Sequence, residues 1–286
     1  HALITKWRLF SMLRRLRNQP ETYRLFMGDF RSLWMHRARA ILEPAEAWLT
    51  DDGSITSVVQ RDYLNRGIFF PPQKKRGLQA MIKPLINRLM NTHQTAVQPL
   101  HVFSCFPVDK PMQPERKLLR HRFDSLRAIS RERLRLAGQI YFFGTKLSEA
   151  GTLDRSQEVR LLAGVAQQYR ARGLTMSYVP HRGDSSEKLA LIREHGIPVH
   201  ALGMPAELYM ACASELPVGI ATFNSSAVTT LNMLADFDIV EAFQIPPTLF
   251  SADKREQQRH AYELLKNQNI PVHLIIDSTT TSDTPC

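Results

Sequence analysis

Four short polar clusters hold the residue types that could do chemistry. The first is Asp51-Asp52-Gly53, in AWLTDDGSIT, directly behind an apolar run. Neighbouring carboxylates repel, and burial strengthens the repulsion. Crowding of that kind raises a carboxylate pKa toward neutrality, which suits a general base for a hydroxyl group. The same residues would also serve as a solvated turn and a helix N-cap. The second cluster is YVPHRGD, where His181 ends an apolar run and Arg182 follows it. A protonated imidazole there could stabilise and protonate a departing phosphate, although a histidine in an ordinary surface loop reads the same way. The third, FNSSAVTTL, sets Ser225 and Ser226 where a strand gives way to a helix. Hydroxyls beside the free N–H groups of a helix start make an anion site, or only a cap. The fourth, MPAEL, puts Glu207 in a first helical turn, where a carboxylate complements the dipole or accepts from ribose hydroxyls.

These clusters need elements to place them. In the first half, strands are expected at 22–26, 47–49 and 99–107, and helices over 31–41, 54–66 and 77–91. Ser54 or Asp52 would cap the helix that starts at 54, and FFPPQKKRG reads as a loop. In the second half, strands at 138–144, 174–181, 197–203, from 217, at 237–243 and at 271–277 alternate with helices. Those helices span 155–172, 186–196 closed by Gly196, 205–215 with Pro205 in its first turn, 225–235 and 253–268. Such alternation implies α/β architecture with parallel sheets covered on both faces and ligands at the carboxyl ends of the strands. The aspartate, histidine and serine clusters all stand at such ends. Two Rossmann-like units are expected, 1–137 and 138–286. The first offers three strands against six, so it is expected to be incomplete at its N-terminus, with on the order of a hundred residues ahead of His1.

Composition narrows the partners. The chain has 286 residues, 43% hydrophobic, with a net charge of +10. That surplus points to an anionic partner: a phosphorylated substrate, an anionic membrane surface or nucleic acid. Without basic–aromatic interleaving or a nucleic-acid-binding motif, nucleic acid ranks last. Much of the charge lies in PERKLLRHRFDSLRAISRERLRLAG, residues 114–138. Its apolar spacing predicts one amphipathic helix with a solvated basic face, or a face resting on lipid headgroups. Cys105, Cys212 and Cys286 lie far apart without metal-ligand spacing, which favours a reducing compartment. No apolar run reaches the length of a membrane span, the start HALITKWRLFSMLRRLRNQP has no secretory h-region, and the tail DSTTTSDTPC is expected to be disordered.

Taken in order, GDFRSLWMHRA, WLTDDGSIT, YFFGTKLSEAG, YVPHRGD and FNSSAVTTL resemble the bacterial sialyltransferases, in particular the lipooligosaccharide sialyltransferase and polysialyltransferase group. That group is marked by an Asp/Glu-Asp/Glu-Gly motif, a His-Pro motif and a paired Ser/Thr-Ser motif. The resemblance runs from about residue 22 to 277 and departs at Arg182, where the family has proline. It implies a GT-B fold whose C-terminal domain holds the donor, CMP-sialic acid, with no metal or other cofactor. It also implies transfer with inversion to a cell-surface glycan, at the cytoplasmic face of the inner membrane. By the same resemblance, Asp51 is the general base, Asp52 orients it or tunes its pKa, and His181 assists departure of the phosphate. Ser225 and Ser226 bind that phosphate, Glu207 holds the ribose, and the Gly144-Thr145 turn lies against the nucleotide. Arg182 would add charge for the phosphate or the sialic carboxylate. A transferase for another nucleotide sugar, and a non-catalytic basic domain for anionic glycan or lipid, are the alternatives.

Overall fold

A computed structural model describes residues 2–53, 55–72, 100–106 and 115–275. The chain divides into two compact units, His1–Arg122 and Phe123–Cys286.

In the first unit the basic start folds as α1, Ala2–Arg17. Phe10 and Leu13 bury one stripe of α1 against Ala38 and Ile41 of α2, Leu33–Leu42. Left-handed Glu43 (φ 46°) ends α2, and Pro44 prevents its continuation. Four strands follow one another across a parallel sheet: β1 Arg24–Met27, β2 Glu46–Leu49, β3 Leu100–Ser104 and β4 Leu118–Arg120. Helix α3, Ile55–Asp62, follows β2. The core comprises Met27, Phe30, Ala47, Leu49, Val59, Leu64, Leu100 and Val102. Arg116 is buried and pins this core: its guanidinium donates to the carbonyls of Leu100 and Leu64, each at 3.1 Å. The Ser54 cap, the helix at 77–91 and the tail lie outside the described residues.

The second unit carries five parallel strands in the order β6-β5-β7-β8-β9. They are β5 Leu134–Phe143, β6 Thr175–Val179, β7 Glu215–Thr222, β8 Ile239–Gln244 and β9 Val272–Leu274. Its helices are α4 Asp124–Arg131, α5 Arg155–Ala171, α6 Ser186–Glu194, α7 Ala206–Cys212, α8 Ser226–Leu234 and α9 Ala252–Lys266. On β5, Ile140 and Phe142 enter one core cluster while Tyr141 and Phe143 enter another. That period of two confirms a sheet buried on both faces. Together the two parallel sheets establish the expected α/β class.

Two element expectations need correction. The stretch 197–203 is not a strand. Only Val199 bridges Tyr178, through bonds from the Tyr178 N–H to the Pro198 carbonyl and from the His200 N–H to the Tyr178 carbonyl. Pro198 has no N–H to extend a ladder, and Gly196 and Gly203 turn the chain at either end with φ near +70°. Nor is 114–138 one helix. It forms β4, then α4, then the start of β5, and Phe123 (φ 55°) breaks it. At Gly138 (φ 70°) the pairing of β5 with β7 shifts register, a bulge that needs a left-handed residue. Its basic face is not simply solvated either. Arg127 and Arg131 pair with Asp236, and Arg133 donates to the carbonyls of Met210, Ala211 and Ala213 at the end of α7. A cation there satisfies carbonyls a helix end leaves unpaired.

Candidate active site

In the second unit the polar clusters fall at one sheet edge. Gly144-Thr145 follows β5, His181-Arg182 follows β6, and Ser225-Ser226 follows β7. Counting the Val199 bridge as a vestigial strand, the order becomes 3-2-1-4-5-6, which reverses between β5 and β7. A reversal of this kind opens a crevice beyond the strand ends. Thr222, buried at the end of β7, ties its two walls together. Its hydroxyl donates to the Phe143 carbonyl at 2.9 Å and accepts from the Ser225 N–H at 2.8 Å. Ser225 then caps α8, accepting from the Ala227 N–H at 3.3 Å. Ser226 is half-buried, and no hydrogen bond engages its hydroxyl among the described residues. In the turn after β5 the Thr145 hydroxyl is buried without a hydrogen-bond partner. An orphaned buried hydroxyl costs about 1–3 kcal/mol. A cavity of 320 Å³ lies one strand further on, at the end of β8, lined by Gln244, Ile245, Phe250, Gln258 and Tyr262 among others. Gln258 accepts from Asn224 of the serine loop.

The His181 loop is held from behind. Asp184 accepts from the His181 N–H at 2.9 Å, from the Tyr178 hydroxyl at 2.8 Å and from Lys188 at 3.0 Å. Lys188 is fully buried, and its ammonium also donates to the Thr145 carbonyl at 3.0 Å and to Glu158. One cation thus fixes both the Thr145 turn and the histidine loop. Burial lowers the Lys188 pKa, but Glu158 and Asp184 raise it further, so it stays charged. Gly144 is required because Tyr178 lies against it: a Cβ there would sit 2.1 Å from the tyrosine oxygen. The Gly183 N–H donates to His181 Nδ1 at 3.0 Å, which leaves the proton of a neutral ring on Nε2. Burial lowers the His181 pKa; Asp184 opposes this, and Lys146 and Arg182 add to it. The neutral ring is therefore the resting form, with Nε2–H as its donor. Arg182 is exposed. Glu207 lies half-buried in the first turn of α7.

In the first unit, Asp51 and Asp52 do not face each other. Asp52 turns to Arg31, 2.8 Å away, while its N–H donates to the Thr56 hydroxyl at 2.9 Å. Asp51 is held by β3 instead: Ser104 Oγ donates to Oδ1 at 2.5 Å and the Cys105 N–H to Oδ2 at 2.7 Å. His121, at the end of β4, stacks on Phe103 with ring centroids 4.5 Å apart and places Nε2 3.7 Å from Asp51 Oδ2. Asp51, Cys105 and His121 each offer a ligand atom, all within 4.8 Å of one another.

No protein-family profile matches this chain, and no curated protein does. Among solved structures it is similar to the crystal structure of Acinetobacter baumannii MurG, with a TM-score of 0.40 and 13% identity. That alignment covers 99% of this chain and 66% of the other, so the chain spans just under two thirds of that protein's length.

The structure brings Gly144, Thr145, His181, Ser225 and Ser226 to one edge of one sheet, and sets Asp51 and Asp52 at the edge of the other. Sequence reasoning missed Thr222, Lys188, Asp184, Ser104 and His121. Asp184 and Lys188, four apart at a helix start, are the pair a sequence could have flagged. Among the described residues no helix is long and apolar enough to cross a membrane.

Proposed function

We propose that this chain is an inverting glycosyltransferase of GT-B type that moves sialic acid from CMP-sialic acid to a hydroxyl of a cell-surface glycan. The observation that carries the reading is the switch point between β5 and β7, bordered by the Gly144-Thr145 turn, Ser226 and the N-terminus of α8. A phosphate there would gain the Ser226 hydroxyl as donor and the positive end of the α8 dipole. His181 on the neighbouring strand end donates from Nε2 to the phosphoryl oxygen that departs. Burying phosphate charge beside the ring raises its proton affinity, so proton donation strengthens as the bond to sialic acid breaks. Asp51, aimed by Ser104 and Cys105, takes the proton of the acceptor hydroxyl. That oxygen attacks the anomeric carbon opposite the leaving CMP, which inverts the centre. Glu207 receives the ribose hydroxyls, and Arg182 meets the sialic carboxylate.

Calorimetric titration of CMP against UMP tests the reading. Selective CMP binding lost in Thr145→Val and Ser226→Ala is expected; equal binding of both nucleotides would replace sialic acid with another nucleotide sugar. Asp51→Asn and His181→Ala should bind CMP yet lose transfer, and retained turnover in both would refute the assigned roles.

A further inference from the structure

The Asp51 cluster offers a chemistry that general-base work does not need. A carboxylate oxygen, a thiol and an imidazole converge from the ends of β2, β3 and β4, with all ligand atoms within 4.8 Å. We propose that these three side chains bind zinc, with water as the fourth ligand. Thiolate, imidazole and carboxylate together are the ligand set of a borderline-soft cation, not of magnesium or calcium. Tetrahedral zinc with bonds of about 2.0–2.3 Å sets its ligand atoms roughly 3.3–3.6 Å apart. The Asp51–His121 separation of 3.7 Å is within a few tenths of an ångström of that spacing. Outer contacts are also in place: Ser104 and the Cys105 N–H orient the carboxylate, and Phe103 holds the imidazole plane. Binding takes Cys105 as thiolate and releases its proton to solvent. If Asp51 is the base proposed above, bound zinc occupies it and inhibits transfer. That consequence rests on the functional reading; the binding does not.

Cobalt(II) added to the reduced, metal-stripped 286-residue chain gives a readout independent of activity. The expected result is a near-ultraviolet thiolate-to-cobalt charge-transfer band with strong visible bands of four-coordinate cobalt, both bleached by zinc. Cys105→Ser abolishes the charge-transfer band, and His121→Ala weakens cobalt binding by about tenfold or more. Cys212→Ser leaves the spectrum unchanged. The proposal is overturned if a chain that circular dichroism shows to be folded gives no charge-transfer band. It is equally overturned if the band survives Cys105→Ser or disappears with Cys212→Ser or Cys286→Ser. Failure of CMP binding has no bearing on these spectra, so the two readings fail separately.

Discussion

At the residue scale the decisive facts are hydrogen-bond directions. Because the Gly183 N–H donates to His181 Nδ1, the neutral ring must carry its proton on Nε2. Nitrogen NMR at neutral pH should show His181 Nδ1 unprotonated and Nε2 protonated; the opposite tautomer would remove the proposed donor. A second prediction concerns Gly144. A Cβ there meets the Tyr178 oxygen at 2.1 Å and ring carbon Cζ at 2.5 Å. Gly144→Ala therefore displaces the ring and costs about 1–3 kcal/mol in a urea titration. Removing only the hydroxyl with Tyr178→Phe does not rescue it, since the ring carbon still collides. Rescue would mean that the ring moves freely. His181 and the serines were legible in the sequence because each follows an apolar run immediately. Thr222 and Ser104 were not, because their partners lie 79 and 53 residues away and a lone hydroxyl looks alike at every strand end.

At the element scale, α6 supplies more than a covering layer. Lys188 enters the core from it among three carboxylates, those of Glu149, Glu158 and Asp184. Lys188→Met leaves those charges buried and uncompensated, with an expected loss of about 3–5 kcal/mol in thermal unfolding. CMP affinity should fall as well, because the Thr145 turn and the His181 loop both lose their anchor. Full CMP affinity in a folded Lys188→Met variant would show that the anchor is dispensable. The strand–helix rhythm of the second unit was legible because fully buried strands are short apolar runs between helical periods. RERLRLAG was misread because Leu134 and Leu136 alternate with arginines, a period-two signal absorbed into a helical one. IPVHALG has the composition of a strand but a proline where a ladder would grow.

At the scale of the whole molecule, acid should destabilise the first unit. His36, in α2, donates from Nε2 to the Phe30 carbonyl at 2.7 Å, and its Nδ1 is buried without a partner. Burial lowers its pKa to about 4. The unfolded histidine, near 6.5, binds a proton that the folded one refuses, so stability falls as pH drops from 6.5 toward 4. Between pH 7 and pH 5 the loss is about 2 kcal/mol. All three tryptophans, Trp7, Trp34 and Trp48, belong to the first unit. Urea titrations followed by their fluorescence at the two pH values read the unfolding of that unit, and His36→Gln should flatten the difference. An unchanged slope in the variant would place the acid sensitivity elsewhere.

The two sheets are wound differently. Among the described residues one runs its strands in chain order; the other reverses between β5 and β7, the kind of point at which a crevice opens. On the proposed reading this separates what can be inherited independently. Substitutions within 123–275 retune which nucleotide is recognised, and substitutions within the first unit retune which hydroxyl is attacked. A lineage carrying this chain could change the glycan it decorates while keeping its donor, by drift or exchange in one half of the gene.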